Sequence, residues 1–321
     1  MTWPRRLLRA HSPSKAVEQR SAAQRSARSS SRPRPARMLA IAAVWGACFA
    51  LIRLGLRDAT VLWFSSMRAL IAGAALVAVA VAQRRPMPRG VRTWCLIGLL
   101  GITNTSVAFA AMFAGVDGLA TGSAAVLANA QPLLILLPAW VLYREPVTVG
   151  TGIGLAVGFA GLLIVALPGG GGTGAWLSLL AATAITTGTL LSCQLEQADL
   201  IQVAGWHFVI GGLVLAGVAG AVEGVPAIEW TARFSLVLGF LALIGTAVAF
   251  WAWFTEVRRS PLGQVAAWTF FVPVFGVIFG LLVVGERPHG WTLVGLSLVL
   301  VSMWVVVHAP LPAGASVDPV E

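Results

Sequence analysis

The chain has 321 residues, of which 58% are hydrophobic and 11% charged, with a mean hydropathy of +0.85. This mix excludes an ordinary soluble domain, in which about a quarter of residues are charged, and indicates an all-α integral membrane protein. The formal net charge of +10 does not argue for nucleic acid as a partner, because ten of the 22 basic residues lie in the first 37 positions and leave a nearly neutral body.

Residues 1–37 form an arm rich in Arg and Ser, with Pro33 and Pro35 near its end and no apolar period. It is expected to be a disordered cytoplasmic segment. Three readings stay open: a basic strip held on anionic lipid head groups, an organellar transit peptide, or upstream sequence ahead of a start at Met38. No small-residue cleavage site leads into a soluble domain, which argues against a secretory signal peptide.

Hydropathy then divides the body into ten runs near 38–56, 61–82, 93–115, 119–142, 147–167, 174–195, 201–222, 234–255, 261–284 and 290–309. Each is close to the ~20 residues a helix needs to cross ~30 Å of hydrocarbon. The connections are too short to hold a soluble catalytic domain, and residues 310–321 make a disordered cytoplasmic tail. Cys48, Cys95 and Cys193 each lie in an apolar run without a partner at metal-ligand spacing and read as small buried hydrophobes.

The runs form two copies of one unit. A shift of 141 residues lays Gly122, Ala125, Pro132, Glu145 and Gly154 on Gly263, Ala266, Pro273, Glu286 and Gly295. The same register carries Thr105, Val107, Ala108, Phe109 and Phe113 onto Thr246, Val248, Ala249, Phe250 and Phe254. The units span 38–167 and 174–309, with the Gly169–Gly172 run as a linker. Each has five runs, an odd number, so the second should enter the membrane upside down, with the Glu145 turn inside and the Glu286 turn outside. With the N-terminus inside, seventeen of the 22 basic residues fall on the cytoplasmic side: the arm, Arg84, Arg85, Arg89, Arg92, Arg144, Arg258 and Arg259. Both termini are then cytoplasmic. Inverted repeats of this kind recur in secondary transporters, where exchanging the conformations of two equivalent halves turns an inward opening into an outward one.

Trp45-Gly46, Phe49 and Arg53 in the first run, Arg68 in the second, and the Pro132–Glu145 and Pro273–Glu286 segments resemble the EamA branch of the drug/metabolite transporter superfamily over about 38–308. The resemblance implies ten transmembrane helices as two inverted five-helix repeats, around a central cavity lined mainly by helices 1, 3, 4, 6, 8 and 9. It also implies a small-molecule substrate, most members exporting amino acids or other small metabolites, while the superfamily includes nucleotide-sugar and sugar-phosphate carriers. Two departures leave the cargo open: helix 6 is rich in Thr where an aromatic is expected, and Arg53 stands where many relatives carry Lys.

Polar groups inside the layer are expensive without a partner or water. Asn104, Asn129, Gln131, Gln194, Trp45, Trp268 and Thr269 fall on the implied cavity walls and suit a small amphiphilic solute, with interhelical hydrogen bonding the alternative for each alone. Arg68 and His207, near-equivalent in the repeat, are candidates for coupling to a proton or an anion. Arg68 is expected to snorkel outward or pair with Asp58. Pro132 and Pro273 should break helices 4 and 9. Glu145 and Glu286 should cap the helices that follow them, 5 and 10. Gly150, Gly154 and Gly158 form a ridge for intramolecular packing or for homodimerisation through helix 5.

There is no Walker loop, the four histidines make no zinc constellation, and no paired acids mark an interfacial enzyme. The expected protein is a non-enzymatic secondary carrier of the cytoplasmic membrane without cofactor or metal. It should move an amino acid or related metabolite, by export and alternating access.

Overall fold

The computed structural model describes residues 33–131, 134, 138, 149–166, 172–260, 262–288 and 290–308. Pro132 and Glu145 lie outside the described residues. The described chain is helical: α1 (Pro35–Gly55), α2 (Val61–Ala82), α3 (Val91–Gly118), α4 (Thr121–Ala128), α5 (Val149–Ala166), α6 (Thr173–Leu195), α7 (Leu200–Val222), α8 (Ala232–Arg259), α9 (Gln264–Val284) and α10 (Gly290–His308). Seven of these, all but α4, α5 and α10, are long and apolar enough to cross a membrane.

α1 starts at Pro35, inside the stretch expected to be disordered. Pro at the first position has its φ set for a helix and needs no N–H partner there. Arg37 Nη1 donates to Glu256 Oε1 at 2.7 Å and fastens this turn to the end of α8.

Polar contacts gather at two ends of the bundle. At one, Arg37 meets Glu256, Arg85 meets Asp199 at 3.1 Å, and Arg258 donates to the Leu195 and Ala198 carbonyls. At the other, Arg53 donates to the Val116 and Asp117 carbonyls, Arg233 pairs with Asp58 at 2.6 Å, and Gly118 lies against Gly174. α1 runs from the Arg37 end to the Arg53 end, and its repeat mate α6 runs the other way. α2 and α7 likewise run oppositely, as do α3 and α8.

The packing repeats as well. α2 lies along α7 and α5 along α10, each helix against its own mate. The α1–α9 contact is matched by α6–α4, α3–α6 by α8–α1, and α2–α8 by α7–α3. Small residues permit the close crossings: a Cβ on Gly46 of α1 would stand 2.9 Å from Gly276 N of α9. Ser302 of α10 donates to the Gly154 carbonyl of α5 at 2.6 Å, so the expected glycine ridge is engaged within the chain at this point.

Two interruptions also come in pairs. α3 is π-helical over Gly101–Val107 and α8 over Phe240–Val248, which overlap under the 141-residue shift. A π turn leaves its carbonyls to partners five residues on. Thr246 Oγ1 donates to Leu241 O at 2.8 Å, and Ser106 Oγ to Gly211 O of α7 at 2.8 Å. α4 stops at Ala128, and α9 tightens into a 3₁₀ turn at Trp268–Phe270. Asn129 Nδ2 donates to Ala125 O at 2.8 Å and Thr269 Oγ1 to Ala266 O at 2.7 Å, equivalent carbonyls in the two units. Pro273 follows four residues after Thr269, whose carbonyl would otherwise have received its N–H.

Candidate functional site

The core between α1, α2, α3, α7 and α8 is aromatic with a few polar groups set into it. Trp45 of α1 packs on Phe250 and Trp253 of α8, each with ring centroids 5.3 Å away. Phe250 meets Phe208 of α7 at 5.0 Å, and Phe208 meets Phe109 of α3 at 5.9 Å. Arg68 of α2 closes this frame, its Cζ 4.6 Å from the Phe109 ring centre and 5.7 Å from that of Phe113.

Arg68 corrects the expectation from sequence. It neither snorkels nor pairs with Asp58, and only 2% of its surface is exposed. Its Nε donates to Thr246 Oγ1 at 2.7 Å and its Nη2 to Gly245 O at 3.5 Å, both acceptors lying in the π turn of α8. Asp58 is held by Arg233 instead. Arg68 lies seven residues into α2, and the ring faces and the wide-turn hydroxyl hold its guanidinium in the core.

His207, the approximate repeat mate of Arg68, is fully buried among Phe208, Phe250 and Phe254. Its Nδ1 faces Val203 O at 3.0 Å and its Nε2 faces Asn104 Nδ2 at 3.4 Å. One ring nitrogen can thus donate and the other accept. Asn104 also fills the space above Gly188 of α6, where an added Cβ would come within 2.5 Å of its own Cβ. Gln131 Nε2 donates to Thr189 Oγ1 of α6 at 2.8 Å.

The other sequence candidates fall apart from this group. Gln194 is exposed on the 3₁₀ turn that ends α6, at the Arg37 end, because the last turn has rotated it out of the bundle. Trp268 is half-buried against Phe271, and Asn129 and Thr269 serve their own helices. Among the described residues Glu286 has no bond to the start of α10. It accepts from Thr121 N at 2.7 Å and Thr121 Oγ1 at 2.9 Å and so caps α4 in the other unit, where free N–H groups point at it. Cys95 is exposed and Cys193 half-buried, while Cys48 is buried as expected.

Sequence reasoning missed Phe109, Phe208, Thr246 and Phe250. A signal was there, since Phe109 and Phe250 are matched by the repeat. It also missed Glu223, which accepts from Thr60 Oγ1, Leu62 N and Trp63 N and caps α2 across the units. Above this core, at the Arg53 end, lies a recess of about 610 Å³ lined by Arg57, Asp58, Asp117, Glu223 and Glu229. Among the described residues no group of three His, Cys, Asp or Glu could hold a metal ion.

A bundle of apolar helices in two matched units, with polar side chains set in an aromatic centre, defines a membrane transporter. The EamA-like transporter family model matches residues 36–167 and 172–308, and the chain belongs to that family. It is 28% identical over 277 residues to a chloroplastic WAT1-related protein of Arabidopsis thaliana, covering 82% of this chain and 66% of that protein. It is 24% identical over 286 residues to a "Probable amino-acid metabolite efflux pump" of Escherichia coli, covering 84% of this chain and 93% of the pump. It is 28% identical over 274 residues to a "Probable terminal-alkyne amino-acid exporter" of Streptantibioticus cattleyicolor, covering 82% and 89%. A solved crystal structure shares the fold, with a TM-score of 0.65 at 18% identity over 85% of this chain and 96% of the other.

Proposed function

We propose that the protein is a secondary carrier that exports an amino acid or a related small amphiphilic metabolite across the cytoplasmic membrane by alternating access. The observation that carries this reading is the doubled arrangement: mates α1 and α6 run oppositely, and the α1–α9, α3–α6 and α2–α8 contacts between the units each have a counterpart. Such a pair of units can exchange conformations and open to alternate sides. The names of the Escherichia coli and Streptantibioticus cattleyicolor relatives support amino-acid-like cargo and outward direction. In this proposal ten crossings form two inverted five-helix halves, with the Arg37 end and both termini in the cytoplasm. The basic residues at that end, Arg37, Arg85 and Arg258, support the orientation. The buried aromatic core is the solute path, held closed here by Trp45, Phe250 and Trp253.

Untargeted metabolite comparison of the medium from overproducing and deleted cells tests the function. A defined set of amino-acid-like compounds should rise with the protein, and Asn104→Leu should change that set while the protein stays in the membrane. Identical media would end the transport reading. Accessibility tags in the turns at Glu145 and Glu286 test the inversion, and labelling of both from one face would reject it.

A further inference from the structure

We propose that Arg68 is the carboxylate anchor of the transported solute, with Trp45 Nε1 as a second donor to the same bound molecule. This rests on the carrier reading above and adds the charge of its cargo. Arg68 is the only buried arginine among the described residues, and no ion pair reaches it there. It lies about 10 Å along α2 from Val61, at ~1.5 Å per residue, well inside the apolar layer. A guanidinium at that depth is expensive to keep without a counter-charge. Thr246 Oγ1, Gly245 O and the faces of Phe109 and Phe113 give it neutral partners only, with Cys48 Sγ 3.9 Å from Nη2.

Its hydrogen-bond capacity is also unspent. Nη1 is buried with no partner among the described residues, and so is Nε1 of Trp45. Trp45 stands one helical turn before Cys48, which touches Arg68, and packs on Phe250, one turn past Thr246. Two unused donors, one carrying a full charge, thus border the same α1–α8 seam. A carboxylate complements both, since its oxygens accept and its charge balances the guanidinium.

The repeat limits the site to one anion. The position of Arg68 is taken in the second unit by His207, whose two nitrogens are already directed to Val203 O and Asn104. A single guanidinium in an aromatic frame suits a monocarboxylate with an apolar body better than a sugar phosphate, which carries more charge than one arginine balances.

The test uses the full chain purified into lipid nanodiscs, with the fluorescence of its 13 tryptophans as the readout. The probes are matched pairs differing only at the carboxylate: leucine with leucinamide, phenylalanine with phenylalaninamide, and phenylacetate with phenylacetamide. At least one acid should bind tighter than its amide by a factor of about ten or more, the effect of one charge-assisted contact. Arg68→Gln should bring acid and amide within about twofold of each other with the amide affinity unchanged. Arg68→Lys, which keeps the cation but not the planar fork, should retain a reduced preference for the acid. A merely structural Arg68 would weaken acid and amide together. If wild type binds no acid better than its amide, absence of binding included, or if Arg68→Gln keeps the wild-type ratio, the anchor assignment is overturned. Where Arg68→Gln does not fold, the wild-type ratio and Arg68→Lys decide. Exported compounds that all lack an anionic group would remove the anchor and leave the carrier standing, whereas unchanged media would remove the carrier itself.

Discussion

Replacing Glu286 by Gln should loosen the joint between the α9–α10 loop and the start of α4. The carboxylate takes the Thr121 N–H at 2.7 Å and its hydroxyl at 2.9 Å, with 24% of the side chain exposed and Arg53 Nε 3.9 Å away. A hydrogen bond to a charged group contributes ~1.5–3 kcal/mol. The amide oxygen can still accept one of the two bonds, and the partial exposure screens the charge, so we expect a loss of about 1–2 kcal/mol. The Arg53 contact, more than one-third exposed by its side chain, adds under ~1 kcal/mol. For a chain of 321 residues the change corresponds to a fall in Tm of about 1.5–3 °C, measurable by thermal unfolding of the full chain in nanodiscs. Thr121→Val removes only the hydroxyl bond and should cost about 0.5–1.5 kcal/mol. Because both changes act on the same contact between Thr121 and residue 286, the double variant should lose less than the two single losses together. Strict additivity, or an unchanged Tm in Glu286→Gln, would refute the cap across the units and favour a cap on α10, which Thr121 would not influence.

Gly188→Val should force α3 and α6 apart at Asn104, costing about 1–3 kcal/mol as overpacking, and combined with Asn104→Gly, which removes the Cβ it strikes, it should lose less Tm than the two single losses together. Glu256→Ala removes a fully buried acceptor from Arg37 and from the Arg34 N–H. Arg37 is one-third exposed and can turn to water, so the loss should be about 1–3 kcal/mol, seen as faster hydrogen exchange in the first turns of α1 with α10 unchanged. Where a pH gradient drives transport in proteoliposomes, His207→Gln should keep that drive, because the imidazole is enclosed by aromatic rings with both nitrogens directed to partners. Loss of that drive alone would make His207 the coupling group.

The class of the molecule was legible because bilayer crossing imposes a length and an apolar composition that survive without any contact information. The repeat was legible because Pro, Gly and aromatic positions kept one register over most of each unit. The partners were not. Glu286 and Glu223 find helix N-termini in the opposite unit, a pairing that loop length alone cannot forecast. Arg68 read as a surface-seeking side chain because hydropathy gives depth along a helix but not the face it presents. Gln194 read as a cavity residue for the same reason. The π turns of α3 and α8 add to this, since a widened turn shifts every later side chain around the helix axis.

At the break in α4 an asparagine closes on the carbonyl of Ala125, and at the matching break in α9 a threonine closes on that of Ala266. The two units thus share a side-chain donor on an equivalent carbonyl, supplied by residues of different chemistry one position out of register. Comparing the two copies letter by letter scores this place as a mismatch, although the same carbonyl is closed in both.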